Sequence, residues 1–429
     1  MKRTASRFLF MALISGFLMY SSSVAMAADT NRIGALFPFT GSMALLGQET
    51  FNGATIAADM SNEKGGIFGK KTEWVKADAV DPKKAITECE RLISIEKLKV
   101  ILGTYASSLS YPASEVAERN KVIYWEATAI ADAITERGFK YIFRSLPRAS
   151  DFGIMAVDTV HQLIAPKLGI DPKKIKIGNM FEDSLFGTTV QKSVLKQASK
   201  LGMNVVASES YSAKTVDLSP IVMRFKDQKP DVIIASCYIE DGLLFWRQAK
   251  DLNLNVKALI GTAAVFCMAD WARTFGKEGD YVFAIAEPFS VNPKIYDEKT
   301  KAVRKEFHER FNKKFGQSPG DHATLGFVAA RVLFEEVLPR AGSLDPEAVR
   351  KAALQVDIPD GGTILGYGVK YAPSDHPLAG QNLRARVVLL QWQDQELWVV
   401  DPENWGLKKP LMPMPTWEER AKGITRFVK

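Results

Sequence analysis

The chain has 429 residues, 46% of them hydrophobic and 24% charged, which excludes a disordered chain and gives enough length for two domains of ordinary size. Of the net charge of +7, Lys2, Arg3 and Arg7 supply three near the start, leaving +4 for the rest. That remainder is scattered (Lys70-Lys71, Lys83-Lys84, Lys173-Lys174, Lys408-Lys409) and makes no basic stripe, so no nucleic acid partner is expected.

The chain opens with a secretory pattern. Three positive residues precede an apolar run over 8–20, and Ala25-Met26-Ala27 offers a small-x-small cleavage site, so 1–27 reads as a signal peptide. The run is short for a membrane span, and no later stretch is long or apolar enough to be one. An exported, periplasmic protein is expected. Cys89, Cys237 and Cys267 are far apart and lack metal-ligand spacing; either Cys237 pairs with Cys267 or all are buried free thiols.

From residue 31 the pattern alternates strand and helix. A strand over 33–37 ends in Pro38-Phe-Thr-Gly41, and a helix over 44–64 turns Ala54, Ile56, Ala57 and Met60 inward. A strand over 72–77 follows, then Asp81 caps a helix that has Pro82 in its first turn and runs to about 97. The third strand, 100–102, runs into Gly103-Thr-Tyr-Ala-Ser-Ser-Leu-Ser110, with Pro112 expected to open the next helix. Such a junction leaves first-turn N–H groups unpaired, at the positive end of the helix dipole. Ser107 and Ser108 add hydroxyls there, which suits a carboxylate or another small anion; an ordinary serine-capped turn is the plainer account. Strands over 122–125 and 141–143 complete this half.

The alternation restarts with strands over 174–180, 205–209, 232–235 and 256–260, separated by helices over 185–201, 218–228 and 241–251. A strand over 282–286, helices over 295–315, 322–338 and 346–355, and a hairpin over 386–400 around Gln393-Asp-Gln follow. A Pro-rich tail from 402 carries a basic, mostly helical end. The fold class is therefore α/β, two doubly wound parallel-sheet lobes facing across a cleft, with ligand groups in the loops after the strands. The expected division is 28–147 with 287–355 in one lobe, 148–286 with 356–401 in the other, and 402–429 as the tail.

Pro38-Phe-Thr-Gly41, Gly47, Asn52-Gly53-Ala54, Gly65-Gly66-Ile67, Asp78 with Asp81-Pro82, Ser107-Ser108 with Pro112-Ala113-Ser114, Thr135 with Arg137-Gly138, and Arg144 stand in the order seen in type I periplasmic solute-binding proteins. The sequence closely resembles that family, in its leucine/isoleucine/valine-binding branch of ABC importers, from residue 31 to about 400. The resemblance implies two lobes joined by three hinge crossings, closing on a solute and presenting it to an inner-membrane permease. It implies a monomer with no cofactor. It places a carboxylate contact at Ser107-Ser108, a second loop at Ala127-Thr128-Ala129, and an aromatic from the other lobe at Tyr238.

Three departures alter the expected ligand. The family's ammonium-binding Glu falls near Ala263, a family aromatic becomes Phe186 without a hydroxyl, and a first-lobe Tyr becomes Leu46. The positions of the family's first-lobe disulfide match Val80 and Ala106, so that bridge is lost on both sides. An unpaired ammonium would be expensive to bury, so the expected ligand is a hydrophobic or aromatic carboxylate. Tyr105, Trp125 and Phe266 are candidate ring contacts, with core packing an equal account of Trp125. Glu240 or Asp241 offers a substitute acid that would restore amino-acid binding; helix capping is their other role.

An enzyme is not expected. His161, His308, His322 and His376 have no metal-ligand spacing, and no G-x-S-x-G elbow or base near Ser107 is present. A ligand-sensing subunit acting through a separate receptor is the remaining alternative.

Overall fold

Strands that are apolar along their whole length need cover on both faces, and the structure gives them that in two sheets. The computed structural model describes residues 30–289 and 291–424; the signal peptide read over 1–27 lies outside the described residues. Strands and helices β1 (Asn31–Phe37), α1 (Ala44–Glu63), β2 (Thr72–Asp78), α2 (Pro82–Ser94), β3 (Val100–Gly103), α3 (Ser107–Arg119), β4 (Ile123–Glu126) and β5 (Ile142–Arg144) form the first half. Its five strands are all parallel, in the order β2-β1-β3-β4-β5.

The second half contains α4 (Ala149–Thr159), β6 (Lys176–Glu182), α5 (Leu185–Leu201), β7 (Asn204–Tyr211), α6 (Ser219–Gln228), β8 (Val232–Ser236), α7 (Glu240–Asp251), β9 (Ala258–Thr262), α8 (Ala269–Phe275) and β10 (Phe283–Ala286). The chain then builds α9 (Glu298–Phe315), α10 (Asp321–Arg331) and α11 (Pro346–Ala353), which pack on the first sheet. It ends with β11 (Val388–Gln393), β12 (Glu396–Asp401) and α12 (Trp417–Ala421) on the second. That sheet runs β12-β11-β10-β9-β8-β6-β7, antiparallel only where β11 meets β10 and β12.

Two glycines set the close approach of α1 and α10. A Cβ on Gly53 would stand 1.8 Å from the carbonyl oxygen of Ala323, and one on Gly326 would stand 1.9 Å from that of Thr50. Both are impossible contacts, so the helices meet backbone to backbone, and the start of α10 is carried to the cleft.

The chain passes between the sheets after β5, after β10 and after α11, as the three-crossing expectation requires. The first and third crossings lie side by side: Arg144 N–H donates to Gly380 O at 3.0 Å, and Asn382 N–H to Arg144 O at 2.9 Å. The Arg144 side chain, fully buried, ties them further. It donates to Gln381 Oε1 (2.7 Å), Thr135 Oγ1 (2.9 Å) and the carbonyls of Ala131 (2.8 Å) and Ala129 (3.3 Å). A buried guanidinium is tolerated only with this degree of pairing.

Several expectations are corrected. Helix α3 starts at Ser107, and Pro112 lies inside it rather than opening it. Helix α4 was not foreseen, because its buried face carries the small residues Ala149, Gly153 and Ala156 while the less buried face carries apolar Ile154 and Met155, leaving little amphipathic signal. The helix expected over 322–338 changes at Val332 into a π-helical stretch, Val332–Val337. Cys89, Cys237 and Cys267 are buried and unpaired, so Cys237 and Cys267 form no disulfide.

The hairpin turn is Asp394-Gln395, both with positive φ (56° and 66°), the two-residue geometry that suits strand twist. The tail packs on the second sheet. Gln391 Nε2 donates to Leu411 O (2.7 Å), Leu411 N–H returns a bond to Gln391 Oε1 (2.7 Å), and Met412 and Met414 are buried. Among the described residues, its helical part is the five residues of α12.

Candidate functional site

Loops at the carboxyl ends of β3, β4, β8, β9 and β10 meet the starts of α3, α5 and α10 in one crevice between the sheets. It is lined by Tyr105, Ala106, Ser107, Thr128, Ile130, Phe186, Tyr238, Ala263, Ala264, Glu287, Asp321, His322 and Leu325. The cavity these residues enclose is about 40 Å³, the volume of a cleft drawn nearly shut. The halves are closed over it: Leu185, Tyr238, Ile239 and Met268 pack against a cluster that includes Leu46, Tyr105 and Leu109 of the first half. A larger depression, about 240 Å³, lies on the outside among Asp297, Arg331, Glu335 and Asp357, away from the strand ends.

One end of the crevice is built to hold an anion. Ala106 is the extended residue before α3, and among the described residues the N–H groups of Ser107 and Ser108 have no backbone acceptor. The Ser107 hydroxyl accepts from Ala131 N–H at 3.1 Å, which leaves its proton to donate elsewhere. Tyr238 contributes a hydroxyl that is buried and, among the described residues, has no hydrogen-bond partner of good geometry, and its ring lies 5.7 Å from that of Phe186.

Glu126 organises this end from beneath. Its carboxylate accepts from the N–H groups of Thr128 (2.9 Å) and Ala129 (2.7 Å) and from the hydroxyl of Ser110, linking β4's loop to α3. Burial pushes its carboxyl up to about 7, against the lowering effect of those bonds and of Arg144. Thr128 in turn donates from Oγ1 to Thr104 O at 2.9 Å. Glu126 had no motif to mark it in the sequence.

The other end is acidic. Glu287 follows β10 directly, is 4% exposed, and is pushed up to about 7 by burial, with Asp321 raising it and His322 lowering it. Asp321 and His322 open α10 and are equally buried. His322 Nε2 is 2.8 Å from Tyr105 Oη, and its Nδ1 is 2.9 Å from Asp321 Oδ1 and 3.9 Å from Glu49 Oε2. Burial works against the charge of His322, yet Asp321, Glu49 and Glu287 together raise it to about 9. Glu49 itself is pushed up to about 7, mainly by burial.

This acidic end corrects the sequence reading. Ala263 does stand where an acid was expected, but Glu287, one strand over, brings a carboxylate into the same crevice. Its signal was present as an acidic residue ending an apolar strand. Asp241 does not supply the acid: it accepts from Tyr211 Oη (2.7 Å) and Tyr238 N–H (3.1 Å), and so positions Tyr238.

Of the other sequence candidates, Tyr105, Ser107, Thr128, Phe186, Tyr238 and Ala263 line the crevice. Ser108, Ala127, Ala129 and Leu46 stand behind its wall and are absent from the lining. Trp125 is a core residue whose Nε1 donates to Ala329 O at 2.8 Å, and Phe266 is fully buried against Gly261. Ala263 and Ala264 have φ of 56° and 47°, and Ala263 with ψ of −158° occupies a region ordinarily left to glycine. Backbone strain is thus held at the lining itself.

Two α/β lobes closed on a crevice with one anion-binding and one acidic end define a solute-binding protein. A family profile described as periplasmic binding protein matches residues 30–395. The chain belongs to that family, and specifically to its leucine/isoleucine/valine-binding branch of ABC importers. It is 36% identical to Leu/Ile/Val-binding protein homolog 7 of Brucella suis biovar 1 over 396 residues, 91% of this chain and 96% of the relative.

Two solved structures share the fold. The branched-chain amino acid transporter substrate binding protein of Streptococcus pneumoniae, in complex with isoleucine, has 18% identity and a TM-score of 0.73, covering 90% of this chain and 100% of its own. A solute binding protein of R. palustris, in complex with benzoate, also has 18% identity, with a TM-score of 0.70 and coverage of 90% and 97%.

Proposed function

We propose that this protein captures an apolar α-amino acid between its lobes and delivers it to an ABC permease in the inner membrane. The signal peptide read over 1–27 would export it to the periplasm. The single observation that carries the ligand class is Glu287, a buried carboxylate in a crevice whose other end presents unpaired N–H groups. The solute's carboxylate meets the Ser107 hydroxyl, the first turn of α3 and the Tyr238 hydroxyl. Its ammonium meets Glu287, and the side chain lies against Phe186, Ile130 and Leu325. The two charged ends need each other's presence, because a buried unpaired charge on either side is costly.

A second reading keeps the aromatic carboxylate. The Phe186–Tyr238 ring pair favours it, and the R. palustris neighbour is a benzoate complex. In that case Glu287 stays protonated beside an uncharged part of the ligand, which its raised pKa permits. Calorimetric titration with leucine, isoleucine, valine, phenylalanine and benzoate decides between them. The amino-acid reading expects heat from at least one amino acid and none from benzoate, and benzoate binding alone overturns it. In either reading the ligand bridges the lobes and selects the closed form. No chemistry on the ligand is invoked.

A further inference from the structure

The wall of the crevice formed by α1 and α10 contains a feature that capture of an amino acid does not use. Glu49, Asp321 and His322 each offer one ligand atom, and the three atoms lie within 4.8 Å of one another. We propose that these residues form a divalent metal site, suited to Zn²⁺, on the side of the solute crevice.

The first argument is geometric. His322 Nδ1 and Asp321 Oδ1 are 2.9 Å apart, at ion-pair distance but poorly aligned for a hydrogen bond, and among the described residues neither atom has another hydrogen-bond partner, although both residues are 96% buried (4% exposed). Buried polar atoms whose only contact is one poorly aligned pairing are rare, and two that converge in this way are placed to hold a third atom between them. Ligand atoms around a tetrahedral zinc with bonds of about 2.0–2.1 Å stand about 3.3 Å apart. The 2.9 Å from His322 Nδ1 to Asp321 and the 3.9 Å from it to Glu49 Oε2 bracket that spacing.

The second argument is the support behind the histidine. A metal-bound imidazole holds its ring by giving its other N–H to an acceptor. His322 Nε2 has one in Tyr105 Oη at 2.8 Å. The donor set of one imidazole and two carboxylates suits zinc and its neighbours better than calcium or magnesium. Charge agrees as well: Glu49, Asp321 and the nearby Glu287 are three carboxylates around one histidine. Asp321 and His322 line the crevice, so the remaining coordination positions face the solute.

Equilibrium dialysis of chelator-stripped protein against Zn²⁺, and Co²⁺ absorption in the visible range, test the site. The proposal expects one zinc per chain and a Co²⁺ spectrum, both weakened at least about tenfold in Glu49→Gln and His322→Gln, and by about 10–100-fold in Tyr105→Phe. Melting of each metal-free variant checks that it is folded, and Glu49→Gln, nearly isosteric at a partly exposed position, serves if His322→Gln is not. Absence of binding, or binding unchanged in Glu49→Gln, overturns the site and leaves a plain histidine–aspartate ion pair. Leucine titration in chelator is read separately. Its failure counts against the amino-acid reading, and the zinc result stands by itself.

Discussion

Replacing Glu287 by Gln separates what the carboxylate does for the ligand from what it costs the empty protein. Its carboxyl is pushed from an ordinary 4.5 up to about 7, first of all by burial. A shift of that size corresponds to about 3 kcal/mol of penalty on the charged form above pH 7. Gln keeps the shape and removes the charge, so the ligand-free variant should melt higher than wild type at pH 8. That gain should shrink as pH falls through 7 toward 4.5, where wild-type Glu287 takes up its proton and the penalty disappears.

The same change removes the ammonium's partner. A charged hydrogen bond of this kind contributes about 2–4 kcal/mol, so leucine affinity should fall by about 30- to 1000-fold. Wild-type affinity for leucine should itself decline below pH 7, by up to about tenfold per unit, because only ionised Glu287 pairs with the ammonium. The variant should show no such slope. Calorimetry from pH 8 to 5, with thermal melts of both proteins alone, measures both effects. Equal leucine affinity in wild type and Glu287→Gln would refute the reasoning.

Ser107→Ala should cost about 1–3 kcal/mol of ligand affinity in calorimetry, since it removes a donor to the carboxylate and the acceptor of Ala131 N–H. Arg144→Met should lower stability by about 3–5 kcal/mol in denaturant melts, because Gln381, Thr135 and two carbonyls lose their donor at once. Ala263→Gly should raise the melting temperature through relief of about 1 kcal/mol of strain, with the crevice intact.

The fold was legible because its signals are local. Strand and helix alternated at βα spacing, Asp81 capped α2 by accepting from Lys84 N–H, and the Asp394-Gln395 hairpin was marked by its turn residues. Helix α4 was hidden because Ile154 and Met155 make its less buried face apolar while Gly153 and Ala156 on the buried face are small, which flattens the amphipathic periodicity. The anion-binding end was also readable, since Ser107 opens α3 directly after the β3 loop. The acidic end was not. Glu287, Asp321 and Glu49 come from three distant segments, brought together by backbone contact at Gly53 and Gly326 and by the crossing after β10. Reading one family position at Ala263 removed an acid that the neighbouring strand in fact supplies.

The central claim is that one amino acid spans the crevice from α3 to Glu287. A crystal structure of the protein grown with leucine tests it most directly. The expected result is leucine in the closed crevice, its carboxylate within hydrogen-bond distance of Ser107 Oγ and its ammonium within hydrogen-bond distance of the Glu287 carboxylate. An empty crevice, or leucine bound with its ammonium away from Glu287, would contradict the account.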